Sequence, residues 1–234
     1  MHPCGPQVTL AVDSHHVVPI YIVVDQSWAV NEALQVVNAR LIPTLIQSCA
    51  RHPLIDELFR FCIIGFGDHA RVVSPLIKGT ELAPYVFEAS SGSSFSEMFT
   101  LLRSQLEIDC RALKADGHKP YRPQVFLLAD GEPLDQPGPA FARLIDGDFG
   151  YSPHLSIFAL DPDAPAWTLE ALVAGRQGRA FRRKGSAGMN ESVNEFIEFI
   201  EDLLAFKFQN QSDLDSGSWL KSWEALTNCQ RPLH

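Results

Sequence analysis

The chain lacks any apolar run of bilayer-spanning length, about 18 residues or more, and nothing in it has the layout of a signal peptide. A cytoplasmic, reduced setting is therefore expected. Cysteine is sparse: Cys4, Cys49, Cys62, Cys110 and Cys229 are odd in number, scattered, and form no Cys-x-x-Cys pair. That argues against a disulfide framework, and Cys49 and Cys62, set in apolar patterns, suit buried free thiols. Asn190-Glu191-Ser192 and Asn210-Gln211-Ser212 match the glycosylation sequon, which has no meaning without secretion. Cations are also few, 19 against 28 acids, for a net charge of −9. A phosphate-backbone partner is disfavoured, the one basic cluster being Arg179 to Lys184.

Catalytic signatures are missing too. There is no Gly-x-Ser-x-Gly elbow and no Gly-x-x-x-x-Gly-Lys-Ser loop. Gly65-Phe66-Gly67 lacks the third glycine of a dinucleotide fingerprint. Eight histidines are present, but no pair sits at a helical ligand spacing beside a carboxylate base.

What is present is an alternation of strand-length apolar runs and helical periodicities. Residues 1–16 form a short arm, with Val8 to Val12 a candidate edge strand and His15 and His16 in a solvated turn. Val17 to Val24 is a near-continuous apolar run, as in a central parallel strand covered on both faces. Val30, Leu34, Val37, Leu41, Leu45 and Cys49 then keep helical spacing, with Pro43 predicting a kink or break. Phe59 to Phe66 predicts a strand, and Gly67-Asp68 a turn so tight that Ala70 to Ile77 must return antiparallel. Phe95 to Leu113 is helical again, Lys114 to Pro123 a polar loop, and residues 124–129 a strand. A loop rich in proline and glycine leads to a strand at Leu155 to Leu160. A short helix at Trp167 to Val173 and a last strand at Arg179 to Arg183 follow. Asn190 caps a helix over 191–208. The alternation predicts an α/β, doubly wound, Rossmann-like sheet of six strands, mostly parallel with one antiparallel edge. The arm, a domain over 17–208 and a tail over 209–234 make up the chain.

In such sheets ligands gather at the carboxyl ends of strands where the winding order reverses. Asp25 ends the first strand, followed by Gln26 and Ser27; Asp130 ends the fourth, followed by Gly131. Ser90-Ser91-Gly92-Ser93-Ser94 lies ahead of the helix between them. Two carboxylates and a run of hydroxyls form the all-oxygen donor set of a hard divalent cation.

These three segments, in this order, resemble the metal-ion-dependent adhesion site of the von Willebrand factor A domain. Asp25 and Ser27 match the first two positions of its Asp-x-Ser-x-Ser loop, and Ala29 replaces the third. Ser93 falls at the threonine position, with Ser94 a neighbouring alternative, and Asp130 matches the aspartate of the Asp-Gly motif. The likeness spans roughly residues 17–205. Asp130 to Asp135 looks most like the bacterial TerY-like group, which implies a non-enzymatic adaptor in a stress or conflict system. It also implies a magnesium ion held by Asp25, Ser27, Ser93 and Asp130, with one position open to an Asp or Glu of a partner protein. Losing the second serine to Ala29 removes one neutral ligand, so a metal-free adaptor stands as the alternative.

Plainer readings compete at each residue. Asp25 or Ser27 could cap the following helix, and Ser94 with Glu97 fits a capping box. Trp28 is either a partner contact or packed inward. In the tail, Trp219, Leu220, Trp223 and Leu226 keep helical spacing, for docking on the domain or on a partner. A phosphohydrolase with Asp25 as nucleophile is the enzymatic alternative, weakened because Ser27 stands where that chemistry wants a second aspartate.

Overall fold

The computed structural model describes residues 15–130, 133–161, 178–182 and 188–209. Seven strands form one sheet: β1 (His16–Asp25), β2 (Phe59–Phe66), β3 (Ala70–Ile77), β4 (Lys119–Pro120), β5 (Gln124–Ala129), β6 (His154–Ala159) and β7 (Gly178–Arg182). Their order is β3-β2-β1-β5-β6-β7, with β4 paired to the start of β1. The sheet thus has one strand more than expected, because the polar loop before β5 contributes the two-residue β4. All pairings are parallel except β2 with β3. That exception follows from the three-residue turn Gly67 to His69, too short for a crossover.

Alternate residues of a strand face opposite sides of the sheet, so a strand covered on both sides is apolar throughout. In β1, Ile20, Ile22 and Val24 join the core beneath α1 (Asn31–Arg51), α2 (Pro53–Leu58) and α5 (Met189–Gln209). Tyr21 and Val23 point the other way, into a second core under α3 (Phe95–Ala115) and α4 (Gly138–Ile145). Phe126 of β5 packs edge-on against Phe158, Phe196 and Phe199, tying α5 to the sheet.

Several local expectations are corrected. Helix α1 runs unbroken through Pro43, which sits on its exposed side. The buried stripe Leu41, Ile42, Leu45 and Cys49 continues past it and outweighs the one lost backbone hydrogen bond. The chain breaks instead at His52, where Pro53 opens α2 in the first-turn position that proline tolerates. Asn190 lies inside the first turn of α5 and is not its cap. Helix α4 was hidden by Pro137, Gly138 and Pro139, which make the segment look like loop. His16 begins β1 and packs its ring on Tyr121, 5.3 Å between centroids, so only His15 remains a turn residue. The candidate strand Val8 to Val12, the helix Trp167 to Val173 and the tail with Trp219 and Trp223 lie outside the described residues. None of the described helices is long and apolar enough to cross a membrane. Cys49, Cys62 and Cys110 are buried free thiols.

The chain winds outward from β1 through β2 to β3, then crosses to the other side of β1 and winds outward again through β5, β6 and β7. The reversal lies between β1 and β5, whose register pairs Val24 with Leu128. Asp25 and Asp130 therefore leave the sheet side by side.

Candidate functional site

Asp25 closes β1 and is fully buried. One carboxylate oxygen, Oδ1, accepts a hydrogen bond from the Ser27 backbone N–H at 2.7 Å. The other, Oδ2, accepts from the Ser93 hydroxyl at 3.4 Å. The backbone N–H of Asp130 donates to the same carboxylate. Burial pushes the Asp25 carboxyl up to about 7, and the like charge of Asp130 adds to the rise. The hydrogen bonds from Ser27 and Asp130 hold it lower than burial alone would.

Ser27 occupies the cap position of a single helical turn, Trp28–Val30, but its side chain caps nothing. Its hydroxyl is buried beside the Asp25 carboxylate, whose charge it helps to hold, but it forms no hydrogen bond of good geometry. A buried hydroxyl without a well-formed hydrogen bond is a destabilising arrangement, costing up to roughly 1–3 kcal/mol, that native proteins rarely keep without cause. The capping reading of Asp25 and Ser27 is thus not realised by either side chain. Trp28, next along, is 70% exposed, so it does not pack inward. Ala29 beside it is exposed and offers no oxygen.

The serine loop is delivered to this rim by residues that sequence reasoning passed over. Segment 82–89 has no regular structure, yet Asn38 of α1 holds both the N–H (2.7 Å) and the carbonyl (3.0 Å) of Phe87. The Gln26 amide nitrogen donates to the Glu88 carbonyl at 2.8 Å. Ser90 then pairs with Ser27 as an isolated parallel bridge, its N–H reaching the Gln26 carbonyl at 2.6 Å. From the β2–β3 turn, Asp68 accepts from the Ser91 hydroxyl at 2.9 Å and from its N–H at 3.2 Å. Gly67 is required there, since an added Cβ would lie 1.7 Å from the Ser90 hydroxyl oxygen. The readable signal was the Gly67-Asp68 pair, an aspartate beside a glycine in a turn, whose carboxylate is free to hold neighbouring backbone.

Ser94 faces a different partner. Its hydroxyl accepts the Glu97 N–H at 3.3 Å, as a cap does, and donates to Asp135 Oδ2 at 3.0 Å. The same carboxylate oxygen accepts the Ser96 N–H at 2.9 Å. Asp135 thereby stands at the amino-terminal end of α3, where the helix dipole is positive. The reciprocal half of the capping box is not formed: Glu97 reaches Ala70 N–H and His69, while the Ser94 N–H donates to the Gly67 carbonyl.

Of the expected site residues, Asp25, Ser27, Ser93 and Asp130 converge on one rim, Ser94 and Trp28 flank it, and Trp219 and Trp223 lie outside the described residues. The convergent donors are all oxygens. No group of three or more His, Cys, Asp or Glu placed to hold a metal ion occurs among the described residues, so an ion at this rim would depend on hydroxyls and waters beside the two carboxylates. A hard cation such as magnesium suits two carboxylates, hydroxyls and retained waters. The raised Asp25 carboxyl and the poorly bonded Ser27 hydroxyl are the two groups that an added positive charge would satisfy.

A doubly wound sheet with an acidic and hydroxyl rim at its switch point is an α/β architecture of the kind in which ligands gather at the carboxyl ends of the strands. No family model and no curated protein matches this sequence. Solved structures do match in fold. A von Willebrand factor type A protein from Catenulispora acidiphila aligns with a TM-score of 0.51 at 15% identity, over 78% of this chain and 42% of that one. The pilus adhesin SpaC from Lactobacillus rhamnosus GG aligns with 0.58 at 14% identity, over 81% and 30%. A D319A mutant of the PilB minor pilin from Streptococcus sanguinis aligns with 0.54 at 8% identity, over 85% and 65%. The fold is that of a von Willebrand factor A domain, and the chain spans less than half the length of the first two proteins it resembles.

Proposed function

We propose that this domain works by binding a partner protein at the Asp25–Asp130 rim, with a magnesium-like cation held by Asp25, Ser27, Ser93 and Asp130. The ion would supply a positive charge at the rim to which an Asp or Glu of the partner binds. The observation that carries this reading is a fully buried carboxyl, Asp25, sharing its rim with Asp130 and with the poorly bonded Ser27 hydroxyl. Without a cation, two acids whose buried member is held only by Ser27, Ser93 and the Asp130 backbone are an unfavourable cluster. Trp28, exposed beside the rim, gives the partner a large apolar contact of the kind that anchors interfaces. The role as a cytoplasmic adaptor of a bacterial stress system rests on the likeness of Asp130 to Asp135 to the TerY-like group.

Ala29 favours a second reading, in which the same rim binds its partner without metal. Phosphohydrolysis fits less well, because Ser27 stands where that chemistry wants a second aspartate as general acid. Titration calorimetry separates the first two. Magnesium should bind the wild type with heat that Asp25→Ala abolishes; a flat wild-type titration at millimolar magnesium leaves the metal-free adaptor.

A further inference from the structure

At the opposite end of the sheet, where β5 and β6 begin, a cavity of about 740 Å³ opens between the end of α3, the end of α4 and the loop before β6. Six residues of parallel strand separate Gln124 from Asp130, so the cavity lies about 20 Å from the acidic rim, at roughly 3.3 Å per residue. Its volume is that of a small-molecule site. Phe141, Phe149 and Leu155 are buried in its wall, and Tyr121 and Tyr151 are half-buried beside them.

Two cations border this apolar space. Arg122 is half-buried, and its Nε donates to the Ser152 carbonyl at 2.7 Å, fixing the plane of the guanidinium. Its two terminal nitrogens make no hydrogen bond and no ion pair among the described residues. Burial pulls the Arg122 pKa down, as expected for a cation removed from water without a counter-charge. Lys114 holds its ammonium 4.7 Å from the centre of the Tyr151 ring and likewise has no carboxylate partner among the described residues. Asp146 and Asp148 flank Gly147 on the rim, but Asp146 accepts the Asp148 N–H at 3.1 Å and neither acid pairs with either cation. Lys114 has a structural role in the last turn of α3, but in a chain of net charge −9 the half-buried Arg122 beside it has no opposite charge among the described residues.

We propose that this cavity binds a small organic anion, an aromatic or apolar body bearing one carboxylate, sulfonate or phosphate, with Arg122 and Lys114 taking the charge. The two free guanidinium nitrogens match the paired oxygens of such a group. The site is separate from the acidic rim, and it stands whether or not the rim binds metal.

The test is a fluorescence titration with 8-anilinonaphthalene-1-sulfonate, set against N-phenyl-1-naphthylamine, the same ring system without the charge. Saturable one-to-one binding of the sulfonate is expected, at least tenfold tighter than the neutral amine. Arg122→Ala should weaken the sulfonate at least tenfold, Arg122→Lys should recover part of that loss, and Lys114→Met should weaken it several-fold. Equal affinity for the two probes, absence of saturable binding, or indifference to both substitutions overturns the assignment. So does Arg122-dependent binding of a peptide with a terminal carboxylate in the absence of sulfonate binding, which would make the cavity a protein-docking site. If Arg122→Ala lowers the melting temperature, Lys114→Met decides the matter, since its exposed side chain is not part of the core.

Discussion

At Asp25 the protein keeps an ionisable group where charge is penalised, and the pH dependence follows from the direction of its shift. A carboxyl raised from its ordinary value to about 7 binds its proton more tightly in the folded than in the unfolded chain. The folded state is therefore favoured below the unfolded value near 4, and the advantage is lost as pH rises toward 7. The full difference is on the order of 4 kcal/mol. In chelator, the unfolding free energy of Asp25→Asn relative to wild type should grow by about 2–3 kcal/mol from pH 5 to pH 8, measured by urea denaturation. A pH-independent difference would show that burial is not what sets the Asp25 carboxyl. Ser27→Ala makes the complementary case. Deleting a poorly bonded hydroxyl should leave stability in chelator unchanged or raise it by about 1 kcal/mol, while weakening magnesium uptake. A loss of more than about 1 kcal/mol would mean that the hydroxyl is already well bonded within the fold.

Among the elements, the loops that carry the site are held by neighbours that have no ligand of their own. The turn between β2 and β3 presents Asp68 to Ser91, and Gly67 leaves room for Ser90. Asp68→Ala removes acceptors for an exposed hydroxyl and N–H, which should cost about 1 kcal/mol or less. Its larger effect is local: amide exchange at residues 90–94 should accelerate and magnesium affinity should fall, with the sheet's own exchange unchanged. Uniformly slow exchange across residues 90–94 in the variant would assign the loop's order to Gln26 and Asn38 instead. The element scale also shows why Pro43 misleads. A proline on the exposed side of a 21-residue helix removes one hydrogen bond, whereas the buried stripe on either side keeps packing on β1 and α5.

For the whole molecule, a ligand that binds only the folded state stabilises it by mass action. At a free concentration a hundredfold above Kd, magnesium should add about 2.7 kcal/mol. In a domain of this size that raises the melting temperature by roughly 5–10 °C. The shift should vanish in Asp25→Ala and reverse on adding chelator. A wild-type melting temperature indifferent to magnesium would favour the metal-free reading of the rim. The two cores, one on each face of the sheet, transmit such a gain to the entire fold because β1 and β5 line both of them.

The sequence by itself determined the central strand and the antiparallel edge, and it brought Asp25 and Asp130 together only on condition that their strands meet at the reversal, which the strand order supplies. A strand apolar at every position must be covered on both faces, a three-residue turn cannot cross over, and a chain wound in two directions from one strand has its reversal beside it. Only the tertiary structure decided which hydroxyl remains poorly bonded, that Trp28 stands in solvent, and that Asp68 and Asp135 organise loops from distant positions. It also placed Arg122 and Lys114 beside one aromatic cavity. Hydrogen bonds across 23 or 41 residues and cations left without an opposite charge among the described residues depend on how surfaces meet, and local periodicity carries no record of that.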